Sequence, residues 1–407
     1  MKRKILLFRT GSLSCIKKTA KFGFITLLLL TLLSAGSGTP VVDPNDVNLP
    51  IRDIINKYYT TNGVPELYIG CAPRGDAIPP NDETVAISRE FSYITPDNHF
   101  KQTHVHPTPG VWSWEQADDW VTSAKENKQV IRMHGPISPQ CSDWAKTDTR
   151  TAAELDQNMR EYMTELCRHF NKCSDVIKWM DVINEIYAIG DMKDNKTGEV
   201  KYHVGDWFGP FTGTVQFQNP WTTIGFDEST TLRVPLYIRN AFEIATKEAP
   251  NLKLMINQNG QFEPEVWENM KKLVAYLRER GLRVDGVEWQ AHVKPEWEKE
   301  QGNLDRLASF IDWCHANALE FHITELNIWS PPEEAKNYDA QGDTFAAIMR
   351  TLVQKRHSGM VGINIWYMRS ASDIKNKVVK CSPWASNGTP LPAVKKIKQM
   401  LIEEAGR

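Results

Sequence analysis

Apolar runs of strand length alternate with amphipathic segments along most of the chain. Eight such runs occur, at 67–72, 91–96, 129–135, 176–185, 252–259, 284–292, 321–328 and 359–368. The segments between them carry apolar residues at helical spacing, as in 151–170, where Leu155, Met159 and Met163 fall on one face. A doubly wound open sheet would also alternate strands and helices, but no Gly-rich phosphate loop follows the first run. The pattern therefore predicts an α/β fold, a single-domain (β/α)8 TIM barrel, with a long insertion after strand 4 at 192–230.

The first 50 residues lack this alternation. Residues 1–21 carry seven Lys or Arg and no acid, and the apolar run 22–33 and the small residues 34–38 follow them. The apolar run has 12 residues, whereas a membrane-spanning helix needs about 20. This order predicts a signal peptide over 1–38, a linker over 39–50 and the barrel over 51–407. The mature protein is therefore expected to be secreted or periplasmic, with no stable membrane span after signal cleavage.

Composition and charge narrow the class of protein. The chain is 41% hydrophobic and 24% charged, which is typical of a soluble globular protein. Loss of the seven basic residues leaves 41 basic against 50 acidic residues, a net charge near −9, which argues against a nucleic-acid partner. Six cysteines remain, for which we expect buried thiols and one or two disulfides of open pairing. No metal or cofactor motif is visible, and a monomer is favoured while the oligomeric state stays open.

Polar or aromatic side chains stand at the ends of most of the predicted strands. Because a barrel builds its active site at the carboxyl ends of its strands, these side chains should meet at one mouth. The candidates, in chain order, are Asn98, Lys101, His134, Asn184, Glu185, Gln290, His292, Glu325 and Trp366.

Two glutamates at one barrel mouth can cleave a glycosidic bond. Carboxyl groups about 5–5.5 Å apart give retention of configuration, and a wider gap gives inversion. Asn184 can donate to a sugar hydroxyl, and Gln290 and His292 can donate towards a carboxylate at Glu325. Trp366 offers a flat face for a pyranose ring. The alternatives are metal-assisted chemistry, which would need more acidic residues at the strand ends, and a catalytically silent polysaccharide-binding barrel.

The strand-end sequences resemble those of glycoside hydrolase family 10, the endo-β-1,4-xylanases, over about 51–401. WMDVINE resembles the family's W-D-V-V-N-E and HITELNI its I-T-E-L-D-I, which implies that Glu185 is the general acid/base and Glu325 the nucleophile. The matches around 90–101, 132–135, 284–292 and 363–369 imply sugar-binding roles for the other candidates. The resemblance implies a retaining enzyme that acts on xylan or a xylan-like polysaccharide without a cofactor.

The departures from the family cluster where the substrate would lie. Ser138 and Pro139 stand near the positions of a family Trp and His, and a second family Trp is missing after Trp366. Asp97 and Gln102 replace a Glu and a Trp of the second-strand motif. The apolar stacking area around the central sugar is therefore expected to be reduced or rebuilt.

One further departure bears on the mechanism. Asn327 replaces the family Asp that would pair with His292. We expect a shifted pH optimum rather than loss of activity.

The insertion is expected to supply a new wall of the cleft. Its candidate sugar platforms are Trp207, Phe208, Phe211, Trp221 and Phe226, although each could instead pack the loop against the barrel. The substrate could be plain xylan, decorated xylan or another β-linked polysaccharide, and endo or exo action stays open.

Overall fold

Eight parallel strands close into a barrel in the computed structural model, which describes residues 42–139, 151–210, 212–215 and 218–407. The strands are β1 (Leu67–Cys71), β2 (Tyr93–Ile94), β3 (Val130–Met133), β4 (Ile177–Asn184), β5 (Lys253–Gln258), β6 (Gly286–Trp289), β7 (Glu320–Ser330) and β8 (Val361–Ile365). Each pairs in parallel with the next along the chain, and β8 pairs with β1. This closure confirms the predicted (β/α)8 barrel. Seven of the eight predicted runs contain their strand, and β7 extends beyond its predicted run at both ends.

A helix follows each strand and covers the barrel from outside. These helices are α1 (Asp82–Glu90), α2 (Glu115–Glu126), α3 (Ala152–Phe170), α4 (Leu236–Glu248), α5 (Pro264–Glu279), α6 (Asn303–Ala316), α7 (Tyr338–Lys355) and α8 (Pro392–Ala405). The start of α3 shows how the sequence sets a boundary: the Thr151 hydroxyl accepts from the Glu154 amide, and the Glu154 carboxylate accepts from the Thr151 amide. This capping box sets the start of the helix at Ala152, one residue inside the predicted segment 151–170.

The N-terminal part of the described chain packs under the barrel. A 3-10 helix, Pro44–Asn48, leads into an α-helix, Ile51–Tyr58. The Asp46 carboxylate of the first helix accepts hydrogen bonds from Lys57 and Tyr58 of the second and so holds the two together. Residues 44–48 lie inside the predicted linker, so ordered structure begins ahead of Ile51. Residues 1–41, which include the predicted signal peptide, lie outside the described part of the chain.

The described cysteines are free thiols: Cys71, Cys167, Cys173, Cys314 and Cys381. The expected disulfides are therefore wrong for these five, and four of them are buried, where they serve as small apolar core residues. Cys141, the sixth cysteine of the predicted mature chain, lies outside the described residues.

Two additions rise above the carboxyl ends of the strands. The predicted insertion between β4 and α4 contains a small antiparallel pair, Met192–Lys193 with Val200–Tyr202, and a 3-10 helix, Pro220–Ile224. The second addition, which we call the β8 hairpin (residues 371–381), follows β8: Ala371–Asp373 pairs with Val378–Cys381. Its second strand pairs antiparallel with the far end of β7, because β7 continues past the barrel to Ser330.

Across the described ranges, no helix combines the length and the apolar character that a bilayer crossing requires.

Candidate active site

A cleft of about 440 Å³ opens at the carboxyl ends of the strands. It is lined by all nine side chains predicted from the strand ends: Asn98, Lys101, His134, Asn184, Glu185, Gln290, His292, Glu325 and Trp366. It is also lined by Asp97, Asn259, Trp329, Tyr367, Lys375, Asn376 and Lys380. The rule that polar strand ends converge is therefore confirmed, and the walls contain residues that the sequence did not single out.

Glu185 lies just beyond β4 in a left-handed backbone conformation, with φ +56°. This conformation is rare for a residue with a side chain and costs about 1–2 kcal/mol. The side chain is only 7% exposed, and Oε1 accepts a hydrogen bond from Gln290 Nε2 at 2.9 Å. The other oxygen, Oε2, is buried and has no hydrogen-bond partner in the described structure. Strained backbone thus supports a carboxyl group with one oxygen held and one available.

The pKa of Glu185 is raised above its ordinary value. Burial is the main cause, because it disfavours the charged form, and the negative charge of Glu325 adds to it. The hydrogen bond from Gln290 opposes the shift without cancelling it. Glu185 therefore retains its proton to higher pH than an exposed glutamate.

Glu325, on β7, has the opposite electrostatic environment. Burial again favours the neutral form, but the nearby charge of His134, the hydrogen bond and charge of His292, and the charge of Arg132 outweigh it and lower the pKa to about 2. Asn257 Nδ2 also donates to Oε1 at 3.1 Å. Glu325 is therefore ionised across the neutral range.

Two residues, Gln290 and Asn257, connect the glutamates. Gln290 donates from its side chain to Glu185, and its main-chain oxygen accepts from the Glu325 amide at 3.0 Å. Asn257 does the converse: its main-chain oxygen accepts from the Glu185 amide at 3.0 Å, and its side chain donates to Glu325. The prediction that Gln290 donates to the Glu325 carboxylate is wrong, since its side chain holds Glu185 instead. Asn257 was missed, although it stands at the end of a predicted strand.

A buried charge network lies under Glu325. Arg132 is fully buried, and its Nη1 lies 2.6 Å from Oδ2 of Asp181. The same oxygen lies 2.8 Å from His134 Nδ1, and His134 Nε2 lies 3.8 Å from Glu325 Oε1. The network fixes the His134 ring and directs positive charge at the carboxylate.

His292 contacts the other oxygen of the same carboxylate. Its Nε2 lies 3.3 Å from Glu325 Oε2, and its Nδ1 lies 2.8 Å from Asn327 Oδ1. Its ring stacks on Trp329, with centroids 5.0 Å apart. The predicted contact of His292 with the Glu325 carboxylate is confirmed. Trp329 is an aromatic wall residue that the sequence reasoning missed.

The second strand end forms a polar group beside the glutamates. Lys101 Nζ lies 3.2 Å from Asp97 Oδ1 and 2.9 Å from Asn98 Oδ1, and Tyr367 donates to Asp97 Oδ2 at 2.7 Å. Asn184 accepts from Gln290 Nε2 at 3.2 Å, so the group it can offer to a sugar is its Nδ2 donor. The rings of Trp366 and His134 form a T-shaped pair, with 5.3 Å between centroids.

The described residues of the insertion do not form the expected wall. Phe208 and Trp221 are buried under the loop, and neither lines the cleft. Trp207 stacks on Tyr187 and borders a separate groove together with Phe226. The prediction of sugar platforms at these four residues is therefore wrong for this cleft, because none of them lines it. Phe211 lies outside the described residues.

Within the described part of the loop after His134, up to residue 139, the two residues near the family Trp and His positions do not form a wall of the cleft. Ser138 and Pro139 are buried and do not line the cleft. Gln102 is also buried and lies outside the cleft. Trp329 and the β8 hairpin line the cleft.

Within the described ranges, no group of three or more His, Cys, Asp or Glu has an arrangement suited to a metal ion. The chemistry of the site follows from its two carboxyl groups. A buried carboxyl group with a raised pKa and a buried carboxylate with a lowered pKa are the pair that glycosidic bond cleavage needs.

Comparisons with known proteins agree with this chemistry. Residues 55–400 match the sequence profile of "Glycosyl hydrolase family 10". The chain is 25% identical over 294 residues to endo-1,4-beta-xylanase A of Humicola insolens, which covers 72% of this chain and 68% of that protein. It is 24% identical over 352 residues to a beta-1,4-xylanase of Dictyoglomus thermophilum, covering 84% of this chain and 87% of that one. The fold matches endo-1,4-beta-xylanase XylE of Penicillium canescens with a TM-score of 0.70 at 20% identity, over 88% of this chain and 98% of that one.

Proposed function

The chain belongs to glycosyl hydrolase family 10, and from this premise we propose that it is a secreted, retaining endo-glycoside hydrolase that cleaves β-1,4-linked xylan or a xylan-like polysaccharide. The observation that carries the proposal is the opposite electrostatic environment of two buried glutamates in one cleft: the pKa of Glu185 is raised, and that of Glu325 is lowered to about 2. The relatives named above are xylanases, which favours xylan as the substrate.

In the first step, the Glu325 carboxylate attacks the anomeric carbon of the sugar, and the bond to the leaving oxygen breaks. Glu185 donates its proton to that oxygen, so the shortened chain leaves as an alcohol. The attack forms an ester between Glu325 and the sugar, with inversion at the anomeric carbon. His292 and Asn257 hold the Glu325 oxygens at 3.3 Å and 3.1 Å, which orients the carboxylate for this attack.

The second step reverses the roles. Formation of the ester removes the negative charge of Glu325, which was one cause of the raised pKa of Glu185. Glu185, now ionised, takes a proton from water, and the resulting hydroxide attacks the anomeric carbon and displaces Glu325. Two inversions give net retention. The Gln290 hydrogen bond to Glu185 Oε1 supports the charged form that this step requires.

A second candidate keeps the chemistry and changes the glycan. The loop after His134 leaves Ser138 and Pro139 buried, while Trp329 and lysines of the β8 hairpin line the cleft. A cleft with this lining favours a β-linked polysaccharide other than plain xylan. A catalytically silent polysaccharide-binding barrel is the remaining alternative.

The test is a substrate panel for the purified mature protein. Soluble xylans, decorated xylans and other plant and algal β-glycans are incubated with enzyme, and reducing ends and product lengths are measured. Internal cleavage of xylans supports the proposal, cleavage of another β-glycan alone supports the second candidate, and inertness on all polymers with retained binding supports the silent barrel. The Glu185→Gln variant is the control for contaminating activity.

A further inference from the structure

The β8 hairpin brings lysines to the wall of the cleft. Lys375 and Lys380 line the same cleft as Glu185 and Glu325. Lys380 is placed by strand pairing, because its backbone is the register partner of Trp329 at the far end of β7. Lys375 lies near the tip, beside Ile374, which is 89% exposed. The hairpin thus extends the site above the barrel with positive charge.

A short chain of contacts connects Lys380 to Glu325. Lys380 Nζ is 4.9 Å from the centre of the Trp329 ring, and that ring stacks on His292. His292 in turn contacts the Glu325 carboxylate at 3.3 Å. A substituent on a sugar bound next to Glu325 is therefore within reach of the hairpin.

The hairpin is braced internally by Asp373. Its carboxylate accepts from the Asn376 amide at 3.1 Å and from Asn376 Nδ2 at 3.0 Å, and it lies 3.0 Å from Lys380 Nζ. These contacts lower the pKa of Asp373 to about 2, so it is a fixed negative charge that holds the turn and shares Lys380. Asp373 therefore neutralises part of the positive charge of Lys380.

The positive charge of Lys375 has no comparable partner in the described part of the chain. No carboxylate in the described part of the chain forms an ion pair with Lys375, whereas Lys101 across the cleft is paired with Asp97 at 3.2 Å. The predicted mature chain carries a net negative charge. Positive charge in the wall of a cleft on an acidic protein concentrates anions locally, because it acts against the field of the rest of the surface.

We propose that Lys375 and Lys380 bind an anionic substituent of the polysaccharide, either the carboxylate of a uronic acid branch or a sulfate ester, so that the enzyme prefers an acidic glycan over its neutral counterpart. The inference rests on the proposed function, since it names the substrate class of the same site. Ammonium groups on a hairpin recognise an anion through charge-assisted hydrogen bonds. The Trp329 ring beneath Lys380 provides a flat apolar face for the sugar that carries it.

The experiment compares polymers that differ only in charge. Glucuronoxylan is assayed beside the same polymer after chemical reduction of its carboxyl groups, and sulfated xylan is assayed beside its desulfated form. The enzymes are the wild type, Lys375→Gln and Lys375→Gln/Lys380→Gln. Lys377→Gln is the matched control, because Lys377 is an exposed lysine of the same hairpin that does not line the cleft.

The proposal predicts that kcat/KM of the wild type is higher on a charged polymer than on its neutral partner. Each lysine lost should lower this ratio on the order of fivefold, mainly through KM, and the effect should weaken with added salt. Lys377→Gln should keep the wild-type ratio. A preference in the glucuronoxylan pair identifies a uronic acid as the source of the anion, and one in the sulfated pair identifies a sulfate ester.

Equal ratios for the wild type and the double variant in both pairs overturn the proposal. Lys375→Gln is the control for a damaged hairpin, because Lys375, unlike Lys380, forms no ion pair within the hairpin. If no polymer is cleaved, the proposed function fails on its own, and calorimetric binding of the same polymer pairs to the same variants still decides the role of the lysines.

Discussion

Gln290 donates a hydrogen bond from Nε2 to Oε1 of Glu185 at 2.9 Å, and this bond favours the charged form of the carboxyl group. Burial and the charge of Glu325 act in the other direction and prevail. The protonation of Glu185 is therefore a balance that single substitutions should move in opposite directions.

Replacing Gln290 with leucine should raise the pKa of Glu185 further, because it removes the interaction that stabilises the carboxylate. The alkaline limb of the kcat/KM profile, which reports loss of the proton from Glu185, should move to higher pH. A Glu325→Gln variant should lower the pKa of Glu185, since it removes a neighbouring negative charge. A carbon-13 NMR titration of the Glu185 carboxyl measures this in the inactive protein. Shifts in the same direction for both variants would refute the balance.

Asn327 sets the hydrogen bonding of His292. Its Oδ1 can only accept, so His292 Nδ1 must carry a proton, and Nε2 can donate to Glu325 only when the ring is charged. An Asn327→Asp variant adds a carboxylate beside the ring and favours that charged form. We expect its kcat/KM profile to move to higher pH, with activity at the optimum within about tenfold of the wild type. Superimposable profiles for the two proteins would rule out this role.

The pair of Arg132 and Asp181 is fully buried and supports His134. Arg132→Met should lower the free energy of unfolding by about 3–5 kcal/mol, because it leaves Asp181 without its main counter-charge. Urea denaturation measures this, with Arg132→Met/Asp181→Leu as the comparison. The double variant should recover part of the loss, since it removes the unpaired charge. If Arg132→Met is as stable as the wild type, the ion pair of Arg132 and Asp181 is not needed for stability.

Glu288 is fully buried beside this pair, with Oε2 3.8 Å from Arg132 Nη1. Burial, followed by the charge of Asp181, raises its pKa well above the ordinary value. Above the pKa of the unfolded chain, the folded state therefore binds more protons than the unfolded state, and stability falls as pH rises by up to about 1.4 kcal/mol per pH unit. Glu288→Gln should remove this fall.

Urea denaturation between pH 4.5 and pH 8 checks the role of Glu288. The glutamine variant should gain stability over the wild type as pH increases, whereas Glu333→Gln, at an exposed glutamate, should follow the wild type. A constant difference between Glu288→Gln and the wild type across this range would contradict the raised pKa.

Much of the fold could be predicted because a barrel strand is buried on both sides and appears as a short apolar run. The lengths of the individual strands were harder to predict. β2 has two residues within a predicted run of six, since Pro96 offers no backbone donor to extend the ladder. β7 runs two residues past its predicted end, because the β8 hairpin pairs with Trp329 and Ser330. Such pairing depends on a segment 50 residues away, which local patterns cannot reveal.

The positions of Glu185 and Glu325 in the cleft could be predicted because they depend on strand order alone. Asn257 and Asn259 stand at the end of β5, and the same rule applied to that strand would have found them. Lys375, Lys380 and the insertion aromatics depend on how loops fold back on the barrel. An aromatic residue in a loop has the same local sequence whether it packs inward or lines a cleft, so the predicted platforms at Trp207 and Trp221 failed.

The assignment of Glu325 as nucleophile and Glu185 as acid/base is tested most directly by azide rescue of alanine variants, with an activated β-xyloside as substrate. In Glu325→Ala, azide should take the place of the carboxylate and give the inverted α-glycosyl azide. In Glu185→Ala, azide should attack the glycosyl-enzyme ester and give the retained β-glycosyl azide. The account predicts these two products by NMR. A β-azide from Glu325→Ala, or rescue of neither variant, would contradict it.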